Sequence, residues 1–146
     1  MSVELREANK QLVRDYIEGI NRWDFDAMRE MLADDFVFEQ PFAAPGMQKR
    51  YEGPDALLNF QRRVSKMIIT ENLHDVWLDT LYSDPGEVIA TYKSDMEMAD
   101  KSLRYANDYI CRFTVRDGKL TRFLEYYDTG RLITGFGGTI DAPEIR

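Results

Sequence analysis

Apolar residues recur at steps of three and four from Leu5 to Ile20, through Ala8, Leu12, Val13, Tyr16 and Ile17, and so draw one stripe along a helix over roughly residues 3–20. A second, shorter helix is predicted to start near Asn21 or Asp24, either able to cap free backbone N–H groups, and to turn Ala27, Met28, Met31 and Leu32 inward. The pattern then changes to period two. Over residues 36–42, Phe36, Phe38, Gln40 and Phe42 fall on one side of a strand and Val37 and Glu39 on the other, which puts an amide among three phenylalanines. Pro45-Gly46 and Gly53-Pro54 bound a loop with room for a short strand around Gln48–Tyr51, and Pro54 suits the first turn of a third helix carrying Leu57, Phe60, Val64 and Met67/Ile68.

Beyond Thr70 the chain reads as strands over residues 73–82, 87–98, 103–116 and 119–128, separated by Asp84-Pro-Gly86, Asp100-Lys101 and the hairpin signal Asp117-Gly118. The order α-α-β-α followed by a four-strand meander predicts an α+β fold with helices packed on one face of the sheet. At 146 residues, with 44% hydrophobic and 31% charged positions, the chain is one domain's worth of ordinary globular composition.

Charge and composition then exclude several chemistries. The formal net charge of −7 has the wrong sign for nucleic acid or an anionic membrane surface. No apolar run has the length of a signal segment or a membrane span, so the cytoplasm is the expected location. One cysteine, Cys111, makes no intrachain disulfide. One histidine, His74, does not supply the ligands of a usual zinc site, which demotes metal catalysis and leaves carboxylate-bound magnesium as the open alternative; no cofactor is expected. Gly135-Phe-Gly-Gly138 follows no βα unit and precedes no Lys-Ser/Thr, so it is not a phosphate loop.

Strand parity locates the candidate chemistry. Tyr105, Asn107, Tyr109, Cys111, Phe113 and Val115 share the inward face of one strand, and Thr121, Phe123, Glu125 and Tyr127 share a face of the next. If Glu125 points inward it joins Asn107 and Tyr109 in an aromatic-lined hollow, where desolvation raises a carboxyl toward values useful for general acid–base work. The alternative places Glu125 at a sheet edge, solvated or paired with Arg122 or Arg131. Tyr16 is either core filler or a donor to developing oxyanion charge. Lys93 and Asp95 share the more polar face of their strand and are expected on the solvent side; His74 is expected at the surface and Cys111 inert. Trp77 reads as core or dimer interface. It also counts with Phe38, Phe60, Phe123 and Tyr127 as an aromatic position able to line a pocket.

The string Leu12-Val-Arg-Asp-Tyr16 through Asn21-Arg-Trp-Asp24 to Gln40-Pro41, then Tyr51-Glu-Gly-Pro-Asp-Ala-Leu57, resembles the SnoaL-like and ketosteroid-isomerase-like branch of the nuclear transport factor 2-like superfamily. Tyr105-Ala-Asn107-Asp-Tyr109 and Glu125-Tyr-Tyr-Asp128 are also similar to the phenazine biosynthesis A/B group. The likeness covers about residues 8–130 of a single domain and leaves 131–146 as a tail. It implies a cone-shaped, strongly curved mixed or antiparallel sheet packed against three helices, a cystatin-like α+β roll, commonly a homodimer with a small lipophilic molecule in its open interior. Tyr16 matches the oxyanion-donating tyrosine of ketosteroid isomerase. Gln40 stands where that enzyme has its catalytic-base aspartate, and an uncharged amide abstracts no proton.

Glu125 matches the catalytic glutamate of the phenazine group and, one carbon longer, the water-activating aspartate of limonene epoxide hydrolase. Lys93-Ser-Asp95 matches the Arg-x-Asp pair of the latter, with Lys for Arg, and Phe60 replaces the histidine of the former. The resulting expectation is a cofactor-free isomerase, cyclase or dehydratase acting on a hydrophobic cyclic substrate, polyketide-, steroid- or terpenoid-like. Glu125, Tyr16, Asn107, Tyr109 and Asp95 are its candidate catalytic residues, and Gln40, Phe38, Phe60, Trp77, Phe123 and Tyr127 its candidate substrate contacts. An epoxide hydrolase and a non-catalytic binding or dimerisation domain are the alternatives.

Overall fold

Both turn residues between the last two strands, Asp117 (φ +51°) and Gly118 (φ +74°), adopt the left-handed region, the geometry of a tight hairpin whose twist matches that of the strands it joins. This hairpin joins β6 (Tyr105–Arg116) to β7 (Lys119–Tyr127), in a computed structural model that describes residues 2–145. Before it come α1 (Val3–Asn21), α2 (Phe25–Met31), β1 (Leu32–Glu39), β2 (Arg50–Glu52), α3 (Pro54–Val64), β3 (Ile68–Thr70), β4 (Leu73–Leu81) and β5 (Asp84–Met98); α4 (Thr129–Gly135) follows it. The helices start where local chemistry allows. The Ser2 side chain accepts from Leu5 N–H, Asp24 from Ala27 N–H and Asp128 from Arg131 N–H, while Pro54 opens α3 after Gly53 at φ +84°.

Seven strands form one mixed sheet in the order β2-β1-β7-β6-β5-β3, with β4 also on β5. The β4–β5–β6–β7 pairings are antiparallel, as the short turns dictate, and β1 runs parallel to β7. The curled, open sheet wraps one face around the helices, which gives the cone-shaped α+β architecture. The expected alternation holds along β5 and β6: Val88, Ala90, Tyr92, Ser94 and Met96 are buried, as is every second residue from Tyr105 to Val115. Phe113 stacks on Phe123 at 4.4 Å between centroids, and Tyr16 of α1 meets both rings edge-on.

Two boundaries differ from the sequence reading. β1 begins at Leu32 and ends at Glu39, so the parity that placed Phe42 inward has stopped before it; Phe42 lies outside, its ring 5.0 Å from that of Tyr126. Ile68–Thr70 form a short strand, β3, where a helix was expected to continue.

Candidate functional site

Between the inner face of the sheet and the helices lies a cavity of about 420 Å³. Most of its wall is apolar, from Ile20 and Leu57 to Met96 and Ile68. β7 supplies Phe123, Glu125 and Tyr127, which share a face because side chains alternate along a strand; β6 adds Tyr105 and Tyr109, and β1 and α3 add Phe38 and Phe60. The structure therefore brings together Glu125, Tyr109, Gln40, Phe38, Phe60, Phe123 and Tyr127 of the expected site.

Glu125 is half-buried, and what is left open of it faces the cavity. Burial pushes its carboxyl up from an ordinary 4.5 to about 8, because an apolar wall penalises the charged form. The edge alternative is excluded: Arg122 bonds Glu39, and Arg131 bonds Asp108.

The second carboxyl was not legible in the sequence. Glu71 lies between β3 and β4, lines the same cavity and is 8% exposed. Burial, and after it the charge of Glu125, raises it to about 8. Its placement is decided by a corner at Asn72 (φ +47°), where Asn72 Nδ2 donates to Asp95 O, while Asn21 of α1 accepts from Leu73 N–H and donates to Leu73 O. Strand parity does not run through such a corner, so no sequence signal points to Glu71. The wall also contains Trp23, from the α1–α2 turn, and Leu132, Ile133 and Phe136, from the segment taken as a tail.

The hydroxyls of the cavity are mostly engaged. Tyr127 Oη donates to Gln40 Oε1 at 2.8 Å and Gln40 Nε2 donates to Gln48 O at 2.8 Å, so the amide among the phenylalanines braces the loop after β1. Tyr105 Oη lies 3.2 Å from Tyr109 Oη, which lies 3.1 Å from Ser94 Oγ.

Four expected site residues are elsewhere. Tyr16 lies in the core behind Phe113 and Phe123 and does not line the cavity; burial drives its phenol far above the ordinary value, and the Gln61 side chain beside its hydroxyl partly offsets this. Asn107 is buried, but its amide serves the backbone. Nδ2 donates to Tyr105 Oη and Asp128 O, and Oδ1 accepts from Asp108 N and Asp128 N, which pins β6 to the start of α4. Asp95 faces outward with Lys93, as parity required, so the Arg-x-Asp correspondence supplies nothing to the cavity. Trp77 is 54% exposed and lies on the outer face, where its strand position puts it opposite Thr91. Among the described residues no group of three or more His, Cys, Asp or Glu side chains could hold a metal ion, and no helix is long and apolar enough to cross a membrane.

The sequence profile of the SnoaL-like domain matches residues 13–123. The chain belongs to the SnoaL-like domain family. Its curated relatives include the uncharacterized protein YesE of Bacillus subtilis (strain 168), 28% identical over 131 residues, which span 88% of this chain and 87% of that one. Among solved structures, a candidate isomerase from Bacillus subtilis superposes with a TM-score of 0.84 at 24% identity, covering 95% of this chain and 98% of the other. A candidate polyketide cyclase from Xanthomonas campestris pv. campestris gives a TM-score of 0.75 at 28% identity, over 90% and 98% of the two chains. This SnoaL-like domain thus shares its fold with proteins to which catalysis is ascribed, and what its own cavity does follows from its own side chains.

Proposed function

We propose that this SnoaL-like domain is a cofactor-free enzyme of isomerase, cyclase or dehydratase type that moves protons on a hydrophobic cyclic molecule held in the cavity, with Glu125 as general acid/base. The observation that carries the reading is the position of Glu125: a carboxyl on the wall of an apolar cavity, with no cation among the described residues of that wall and its ionisation moved to about 8 by burial. A group that titrates near the working pH is populated in both forms, so it can give a proton to one atom of a substrate and accept one from another. Glu71, raised to the same region, offers a second exchange point on the same wall. The aromatic rings of Phe38, Phe60 and Phe123 would hold an apolar ring system in place. A cyclase is ascribed to the Xanthomonas neighbour, which supports the reaction class.

The test begins with a thermal-shift screen of steroids, polyketides and terpenoid epoxides, followed by turnover assays on whatever binds. Glu125→Gln is expected to lower turnover by about 10²–10⁴ with the fold intact. Full turnover in that variant removes Glu125 from the mechanism. Turnover confined to epoxides would favour a hydrolase, and binding without any turnover would favour a ligand-binding domain.

The proposal extends to a homodimer. Trp77, Thr91, Ile110 and Tyr126 are cross-strand neighbours in one row over β4, β5, β6 and β7 on the outer face, and Trp77 and Ile110 are each more than half exposed. A second copy covering that row would remove apolar surface from water. Sedimentation equilibrium checks it: a dimer is expected, converted to monomer by Ile110→Asp, and a monomeric wild-type chain overturns it.

A further inference from the structure

We propose, building on the acid–base reading above, that the molecule taken by this cavity carries a basic nitrogen on its apolar ring body, with the ammonium group held by Glu71 and Glu125. The argument rests on which polar atoms of the wall are already engaged. The hydroxyls of Tyr105 and Tyr109 are bonded to one another, with Asn107 and Ser94 on their far sides, and the hydroxyl of Tyr127 is bonded to Gln40. Among the described residues no hydrogen bond or ion pair engages the Glu71 or Glu125 carboxyl, both of which line the cavity. The wall therefore presents two unengaged carboxyls, each able to carry negative charge. Against these, among the described residues, it sets one unmet buried donor, the indole N–H of Trp23.

No Lys, Arg or His is among the described residues of the wall, so none of these supplies positive charge to either carboxyl. Two uncompensated carboxylates in an apolar enclosure are costly unless a cation joins them or a proton neutralises them. An ammonium ion suits the two carboxyls: it has only donors, brings the missing charge, and is attracted by aromatic faces such as those of Trp23 and Phe60, while the Trp23 N–H is left for an acceptor elsewhere on the molecule. The competing occupant is a neutral carbonyl or alcohol compound, hydrogen-bonded by carboxyls that keep their protons.

The two differ in proton balance. Glu125 is faced by Glu71, by the Cys111 thiol and by the phenols of Tyr16, Tyr92, Tyr105, Tyr109 and Tyr127; Glu71 is faced by Glu125, Tyr105 and Tyr109. Burial raises every one of those phenols and the thiol, so only the two carboxyls titrate between pH 6 and 8. An ammonium ion binds best to the ionised carboxyl and so releases the proton that the empty site holds below about pH 8. A neutral ligand releases none.

Isothermal titration calorimetry of the full chain with 1-adamantylamine and with 1-adamantanol, at pH 6, 7 and 8 and in buffers of different ionisation heat, separates the cases. The amine is expected to bind more tightly as pH rises, by up to about 10-fold per pH unit for one proton released, with a buffer-dependent heat. The alcohol is expected to bind with an affinity that does not change with pH. Glu71→Gln and Glu125→Gln should each weaken the amine at least 10-fold at pH 8 and leave the alcohol within about 2-fold; both replacements keep the side-chain shape and remove a buried acid. Tighter binding of the alcohol than of the amine, or an amine affinity that is flat with pH, overturns the amine assignment and leaves the acid–base reading standing. Failure of both probes to bind, with the fold intact, overturns the assignment together with the binding role of the cavity.

Discussion

Glu71 and Glu125 line one cavity although β5 and β6 separate β7, which carries Glu125, from β3 and β4, which flank Glu71, and the charge of Glu125 adds to what burial already does to Glu71. Only the curl of the sheet makes this possible, since in a flat sheet the two carboxyls would lie several strand spacings apart.

Stability should fall as pH rises between about 5 and 8. The folded chain holds protons on Glu71 and Glu125 up to about 8, while the unfolded chain loses them near 4.5, so the folded state binds more protons across that window. Each carboxyl contributes a slope of at most about 1.4 kcal/mol per pH unit, with the loss complete above the folded-state value. Urea denaturation at pH 5, 6, 7 and 8 measures it. Glu71→Gln and Glu125→Gln should each flatten the curve, and a wild-type stability that rises with pH would show that these carboxyls are not buried as described.

Tyr127→Phe removes the donor to Gln40 Oε1 and leaves a buried amide oxygen unpaired. A loss of about 1–3 kcal/mol is expected, the cost of an unmet buried polar group. Chemical denaturation checks it, and the double variant Tyr127→Phe/Gln40→Leu should recover part of the loss because the unpaired acceptor is gone.

Gly135→Ala should loosen α4. A Cβ there would stand 2.5 Å from Tyr105 Cδ1 and 3.0 Å from Tyr105 Cβ, closer than packed atoms come, so the helix must lift from β6. Because Leu132, Ile133 and Phe136 form part of the cavity wall, hydrogen exchange across residues 129–136 should quicken and ligand release with it. Unchanged exchange would mean that α4 has slack at this contact.

Asp95→Ala and Asn107→Ala separate an outward acid from a structural amide. Asp95 lies on the outer face, so its variant should keep both stability and turnover within about 2-fold, because exposed substitutions of this kind act by about ±0.5 kcal/mol. Loss of the Asn107 side chain strips hydrogen bonds from Tyr105 Oη, Asp108 N and both backbone groups of Asp128, so a drop of about 2–4 kcal/mol is expected in thermal or urea unfolding. Equal behaviour of the two variants would contradict their placement.

Local periodicity determined a good deal. A strand alternates whatever it packs against, so the grouping of Phe123, Glu125 and Tyr127, the inward run from Tyr105 to Val115 and the outward facing of Asp95 were all readable from residue order. The DG turn, the Pro54 helix start and the Asp24 cap were equally local, and the residue strings from Leu12 to Pro41 and from Tyr51 to Leu57 carried the resemblance to the SnoaL-like family that the profile match bears out. Three matters depended on the tertiary structure, because each is a relation between segments distant in sequence. Sheet curvature decided that Tyr16, inward on its helix, meets phenylalanine rings instead of open space. The left-handed corner at Asn72 turned Glu71 into the cavity where no periodic pattern runs. The docking of Gly135 on Tyr105 turned an apparent tail into a wall, since an amphipathic segment of a single turn or two carries no sign of the surface that will receive it until that surface has formed.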